Sequence, residues 1–271
     1  MNASVGLLPL PRPLMTAEVL DAAFRLFRAG ILHCLPYSGL AVLVIELPTL
    51  YSTFFSQGAA PGLLSGHLRL VSYGVVFLLS VPLLGVITLR LNSIAEGRRP
   101  SIRRELSAAL TGWPMGIIAT ALALGYPLLL WFLWPIALVA VPGTALVFAA
   151  VPVVWPVTLF VMTLPAFWCG RLSPVSAFLE SVSISVRHSW RMSGALLATA
   201  CMVTAFFVLS TVIVWMTSPL FGRADLFLIA TVESMLYLVV GAFGVPFVLA
   251  VLIVAHQDLK LRSNERRGAA A

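Results

Sequence analysis

The sequence predicts an all-α, polytopic membrane fold: six transmembrane helices, with three short amphipathic interfacial helices on the cytoplasmic side. Three observations carry this. The 271-residue chain is 60% apolar, with a mean hydropathy of +1.02. Only 10% of its residues are charged, against roughly 25% in soluble domains. Fifteen of its 17 Lys and Arg residues fall in four short segments that share one side once the apolar runs are counted as crossings.

A helix needs about 20 apolar residues to cross the hydrocarbon, because every backbone amide there must be satisfied within the helix. Residues 31–55, 70–89, 113–134, 142–168, 195–216 and 226–255 meet this requirement. Between Glu105 and Arg171 there is no Asp, Glu, Lys, Arg or His, so two crossings must be joined by an uncharged turn near Trp134 and Pro135. Pro142, Pro152, Pro156 and Pro165 crowd the fourth crossing. A straight helix from Pro135 to Trp168 would run about 50 Å, too long for the bilayer core, so a break is expected near Pro142 and Gly143. Such a break either builds a transport site or turns the chain along the interface.

The basic residues sort onto one face. Arg12, Arg25 and Arg28 precede the first crossing; Arg90, Arg98, Arg99, Arg103 and Arg104 lie between the second and third. Arg171, Arg187 and Arg191 lie between the fourth and fifth, and Lys260, Arg262, Arg266 and Arg267 follow the sixth. Only Arg69 and Arg223 remain for the other face. Both termini are therefore expected in the cytoplasm. Trp113, Trp131, Trp134, Trp168, Trp190 and Trp215 fall near span ends, as an aromatic belt requires. Residues 1–15 are expected as a flexible N-terminus with no cleaved leader, residues 16–258 as one six-helix domain, and residues 259–271 as a basic cytoplasmic tail.

Each cytoplasmic segment before an odd-numbered crossing reads as an amphipathic helix. In the first, Thr16 is the expected cap, Glu18 sits in the first turn, and Leu20, Ala23, Phe24, Phe27 and Ile31 form the apolar stripe. In the second, Pro100 and Ser101 begin a turn with Ile102, Leu106, Ala109 and Leu110 on one face and Arg103, Arg104 and Ser107 off it. In the third, Ser173 is the N-cap and Pro174 the first helical residue. Its stripe is Val175, Phe178, Leu179, Val182 and Val186, although Val182, Ile184 and Val186 also alternate with serines as a strand would. A helix in the headgroup plane buries its apolar face and presents Arg to anionic lipid. Arg25, Arg28, Arg98, Arg99, Arg103, Arg104, Arg187 and Arg191 are thus the candidate headgroup contacts.

The stretch from Leu164 to Gly194, LPAFWCGRLSPVSAFLESVSISVRHSWRMSG, ends in Ser189, Trp190 and Arg191 before the fifth crossing. It resembles the corresponding segment of bacterial six-span membrane proteins of the YciC-like group, and of the membrane domain beside some glycerophosphodiester phosphodiesterases. The entry Gly97, Arg98, Arg99, Pro100, Ser101 and the run LDAAFRLFR at Leu20–Arg28 are similar too. The resemblance implies a bacterial inner-membrane protein and brings no catalytic residues, since the phosphodiesterase of such fusions is a separate soluble domain.

Candidate chemistry is sparse. Glu46 and Glu233 are the carboxylates well inside apolar runs, both in the outer half of the bilayer by residue count. An intramembrane ionisable group is a functional hypothesis by default. The pair either shares a proton or a cation, or each carboxyl is protonated or hydrogen-bonded to Thr49, Ser52, Thr231 or Ser234. His33, His188 and His256, with Cys34 and Cys169, gather near the cytoplasmic interface without HExxH or CxxC spacing, so no metal or cofactor is expected. Gly112 and Gly116, extended by Thr120, invite a close neighbour within the bundle. The net charge of +7 forms no stripe that would read nucleic acid.

Three function classes follow. A structural or assembly protein that contacts anionic lipid is the primary expectation. A small-solute or lipid transporter using Glu46 and Glu233 is the alternative. An intramembrane enzyme comes last, since no GxSxG, HExxH or P-loop motif is present.

Overall fold

The computed structural model describes residues 8, 10, 12–55, 66–125, 159–217 and 226–270. These form α1 (Thr16–Phe55), α2 (Gly66–Ala95), α3 (Ile102–Thr111), α4 (Trp113–Gly125), α5 (Thr163–Gly170), α6 (Pro174–Thr217) and α7 (Leu226–Ala270). No strand occurs among the described residues, and the alternating stretch at 182–186 is helical. Four helical stretches are long and apolar enough to cross a membrane: Thr16–Pro48, Val71–Ala95, Trp190–Met216 and Thr231–Glu265. A fifth is counted if α3 and α4, bent by 74°, form one span. The remainder of the expected third crossing, most of the fourth, the turn at Trp134 and Pro135 and the break at Pro142 and Gly143 lie outside the described residues.

Two of the three expected amphipathic helices are not separate elements. α1 runs unbroken for 40 residues from Thr16 and α6 for 44 from Pro174. In α1 the one weak helix former at the expected junction, Gly30, faces α2, where an added Cβ would lie 2.7 Å from Leu91 Cδ2. That glycine permits a close helix approach, and nothing beside it stops the helix. α1 also begins differently from expectation. Thr16 is its first helical residue, and the Glu18 carboxylate accepts the Met15 N–H at 2.7 Å. α6 begins as predicted, with Ser173 Oγ accepting the Ser176 N–H at 3.2 Å ahead of Pro174.

The middle segment does form its own helix. Pro114 lacks an N–H and its ring crowds the carbonyl four residues before it, so the helix of α3 cannot run straight on, and the 74° bend between α3 and α4 falls there. Trp113 Nε1 donates to the Leu78 carbonyl at 2.9 Å, fixing α4 on α2.

α1 packs chiefly against α7 and α2, and α6 against α7. The basic segments come together at one end of this bundle. Leu8 N–H donates to the Ala95 carbonyl at 2.9 Å, and Leu14 meets Asp258, Arg262 and Arg191. Leu8 and Leu10 are buried there, so the described part of the segment before α1 is packed on the bundle. The main core also lies toward this end, with Leu26, Ile87, Leu91, Leu252 and Ile253 fully buried. Farther from it, Leu47, Val71, Tyr73, Leu209, Val212 and Met216 are exposed. Exposed apolar side chains in this number fit a hydrocarbon solvent.

The faces buried in the bundle are largely distinct from the apolar stripes expected to meet the bilayer boundary. Over residues 16–34 of α1 the buried residues are Val19, Ala23, Leu26, Gly30 and Cys34, while Phe24 is exposed. In α3 the buried residues are Glu105 and Ala109, and Ile102, Leu106 and Leu110 face outward. In α6 Ala177, Ser181, Ile184 and Ser185 are buried, and Val175, Leu179 and Val186 are exposed.

Candidate functional site

Arg90, near the end of α2, and Glu105, in the first turn of α3, form an interior ion pair. Arg90 Nη1 lies 3.8 Å from Glu105 Oε2, with side-chain exposures of 6% and 5%. The Arg90 guanidinium also lies 5.6 Å from the centre of the Tyr37 ring on α1, a cation–π distance. The other Glu105 oxygen accepts the Ser101 N–H at 3.1 Å. One carboxylate thus closes the first turn of α3 and ties that helix to α2. Arg90 Nε, Arg90 Nη1 and Glu105 Oε2 are buried with no hydrogen-bond partner among the described residues. Arg90 entered the sequence reading only as a topology marker, and Glu105 only as the start of a charge-free stretch.

A second polar junction fastens the chain ahead of α1. Leu14 N–H donates to Asp258 Oδ1 at 2.6 Å, and the Leu14 carbonyl accepts from Arg262 at 2.6 Å and from Arg191 at 3.1 Å. Arg262 Nε also donates to Asp258 Oδ2 at 2.9 Å. The i, i+4 spacing of Asp258 and Arg262 was a visible signal for half of this junction. Its backbone half had none.

The intramembrane carboxylates come to the same region without touching. Gly241 of α7 lies so close to α1 that an added Cβ would be 2.9 Å from Val42 Cγ1. Glu46 is one turn beyond Val42, and Glu233 is two turns beyond Gly241 on the opposing helix. Both are half-buried, and no hydrogen bond joins them among the described residues. Glu233 Oε1 instead accepts from Tyr237 Oη at 2.9 Å, and that hydroxyl lies 2.9 Å from Thr211 Oγ1 on α6. Tyr237, four residues from Glu233, is a residue the sequence reading passed over. Thr49 and Ser52, two expected partners, have side chains outside the described part.

The candidate headgroup arginines divide by pairing. Arg25 bonds Asp21 at 2.5 Å, Arg98 pairs with Glu96, and Arg191 holds the Leu14 carbonyl. Arg28, Arg99, Arg103 and Arg104 are exposed, with no partner among the described residues. The side chain of Arg187 lies outside the described part. Of the aromatic belt, Trp190 and Trp215 are 83% and 78% exposed, while Trp131 and Trp134 lie outside the described residues. Trp168 is a correction to the expected belt: it is 5% exposed, with its indole held among three glycines. Added Cβ atoms at Gly85, Gly116 and Gly112 would lie 2.7, 2.8 and 3.2 Å from that ring. The close neighbour expected at Gly112 and Gly116 is therefore an indole from α5.

The cavities among the described residues include an apolar one and a polar one. An apolar groove of about 340 Å³ lies between α1, α6 and α7, lined by Phe24, Phe27, Met202, Phe206, Phe243 and Phe247 among others, all apolar. It does not reach Glu46 or Glu233. A polar cleft of about 360 Å³ lies between α6 and α7, where Glu180 Oε1 is 3.6 Å from Lys260 Nζ and 4.0 Å from His256 Nε2. Among the described residues no three His, Cys, Asp or Glu side chains gather as a metal group would; Cys34 is buried, Cys169 half-buried and Cys201 exposed. The chain matches no family model, and no curated protein or solved structure matches it.

Proposed function

We propose that this chain is a non-enzymatic integral protein of the bacterial inner membrane, with both termini cytoplasmic, that acts in structure or assembly by holding anionic lipid headgroups at its basic end. The observation that carries this is α3. Its Ile102, Leu106 and Leu110 face outward, and beside them Arg99, Arg103 and Arg104 are exposed and unpaired among the described residues. An apolar arc bordered by free guanidiniums fits the hydrocarbon–headgroup boundary, where each basic residue is attracted to anionic lipid. The Leu164–Gly194 resemblance supports the bacterial setting. In the test, protein reconstituted in mixed phosphatidylglycerol and phosphatidylethanolamine nanodiscs is compared with the Arg99→Gln, Arg103→Gln, Arg104→Gln variant. The wild type should enrich phosphatidylglycerol around itself and the triple variant less so; equal enrichment would remove the basis of this reading.

A transport reading rests on a different observation, the chain Glu233–Tyr237–Thr211 linking α7 to α6 at membrane depth. Loss of solute or proton flux in Glu233→Gln proteoliposomes would favour it.

A further inference from the structure

We propose that the groove between α1, α6 and α7 is a binding site for one acyl chain of an anionic phospholipid whose headgroup is held by Arg28. This rests on the lipid-contact reading above and gives it a second, separate site, since α3 contributes nothing to the groove.

The groove extends along α7 from Phe247 to Val239, a rise of about 12 Å. Phe27 meets Phe247 edge-on at 5.6 Å, and both rings form part of the groove wall. Gly244 lies in its wall, and an added Cβ there would find only Val203 Cγ1, at 3.7 Å. The missing side chain is thus unfilled space. Every lining residue is apolar, so a solute needing hydrogen bonds has nothing to bind. A hydrocarbon chain needs none, and the volume falls in the range of ligand pockets, roughly 300–1,000 Å³.

Charge selects among lipids. Phe24 and Arg28 are one turn apart on α1, so Arg28 stands on the helix face that borders the groove. Arg28 is exposed with no counter-ion among the described residues, whereas neighbouring Arg25 is neutralised by Asp21. A long side chain on this face leans toward the start of its helix, the basic end, where phosphate groups lie. One free cation above an apolar slot is complementary to a phospholipid of net negative charge.

The test is native mass spectrometry of the full chain released from nanodiscs of equal phosphatidylglycerol and phosphatidylethanolamine. Wild type is expected to retain one phosphatidylglycerol tightly. Gly244→Leu, which fills the slot, should abolish that retained lipid while leaving the unfolding temperature within a few degrees. Arg28→Gln should keep a bound lipid but cut the preference for phosphatidylglycerol about fivefold, the share of one basic residue at the surface. If Gly244→Leu retains the lipid as wild type does, the groove assignment is overturned while the α3 reading stands. If Arg28→Gln keeps full preference, the headgroup assignment is overturned. If wild type retains no anionic lipid and the α3 triple variant changes nothing, both readings fall.

Discussion

Arg90 and Glu105 face one another at 3.8 Å inside the bundle, nearly removed from solvent, although 14 residues, the turn at Gly97 among them, separate them in the chain. Their meeting fixes α3 to the end of α2. Removing one partner strands the other charge, which costs about 3–5 kcal/mol, whereas replacing both with apolar residues is close to neutral. Arg90→Met and Glu105→Leu should each lower stability by that order and the double variant should recover most of it. Denaturant unfolding in detergent micelles measures this.

The glycine cradle around Trp168 gives an ordering. Gly85→Ala and Gly116→Ala drive a Cβ to 2.7 and 2.8 Å from the indole, and overpacking of this kind costs about 1–3 kcal/mol. Gly112→Ala, at 3.2 Å, should cost less. Gly194→Ala meets nothing within 4 Å and should raise stability by about 0.5 kcal/mol through helix propensity. Thermal unfolding of the four variants checks the order.

The junction at Leu14 holds the preceding segment through charged hydrogen bonds. Asp258→Ala removes one acceptor and frees Arg262 from it. Opening of the segment should become roughly tenfold more frequent, the equivalent of one such bond. Hydrogen exchange of the Leu8 amide, which is bonded to the Ala95 carbonyl, should accelerate by that factor in the intact protein, because exchange follows the open population.

Tyr237→Phe removes the hydroxyl that joins Glu233 to Thr211. Interhelical hydrogen bonds in membranes average about 0.6 kcal/mol, so stability should fall by that order. A drop several times larger in micelle unfolding would mean that Glu233 had depended on Tyr237 for its solvation.

Ser101 and Ser173 are both exposed and belong to the two basic segments between crossings. In a background without Cys34, Cys169 and Cys201, Ser101→Cys and Ser173→Cys should react with an impermeant maleimide from the same face, in inverted vesicles and not in intact cells.

The helical membrane class was legible because composition and run length alone require it. The cap at Ser173 was also legible, since it is local, and the third crossing was expected to begin at Trp113, where α4 begins. The buried faces were not. Apolar stripes were read as facing the bilayer boundary, and Val175, Leu179 and Val186 do face out, but Ala177, Ser181 and Ser185, which face in, gave no signal of their own. Where the surroundings are apolar, large apolar side chains gain nothing by hiding, and small or hydroxylated residues let helices approach. Trp168 was misread for a related reason: its cradle draws on Gly85 and Gly112, which only the folded chain brings together. The Arg90–Glu105 and Leu14–Asp258 pairs were illegible because neither has a periodic signature.

With its main core gathered near one end, the bundle resembles a sheaf tied at its base. Lateral pressure or a change in bilayer thickness acts on the loosely bordered portion of α1, α2 and α6, while the tied portion keeps its spacing. Thinning the host bilayer should therefore alter tilt in the far halves of these helices and leave distances around Leu26, Leu91 and Ile253 unchanged.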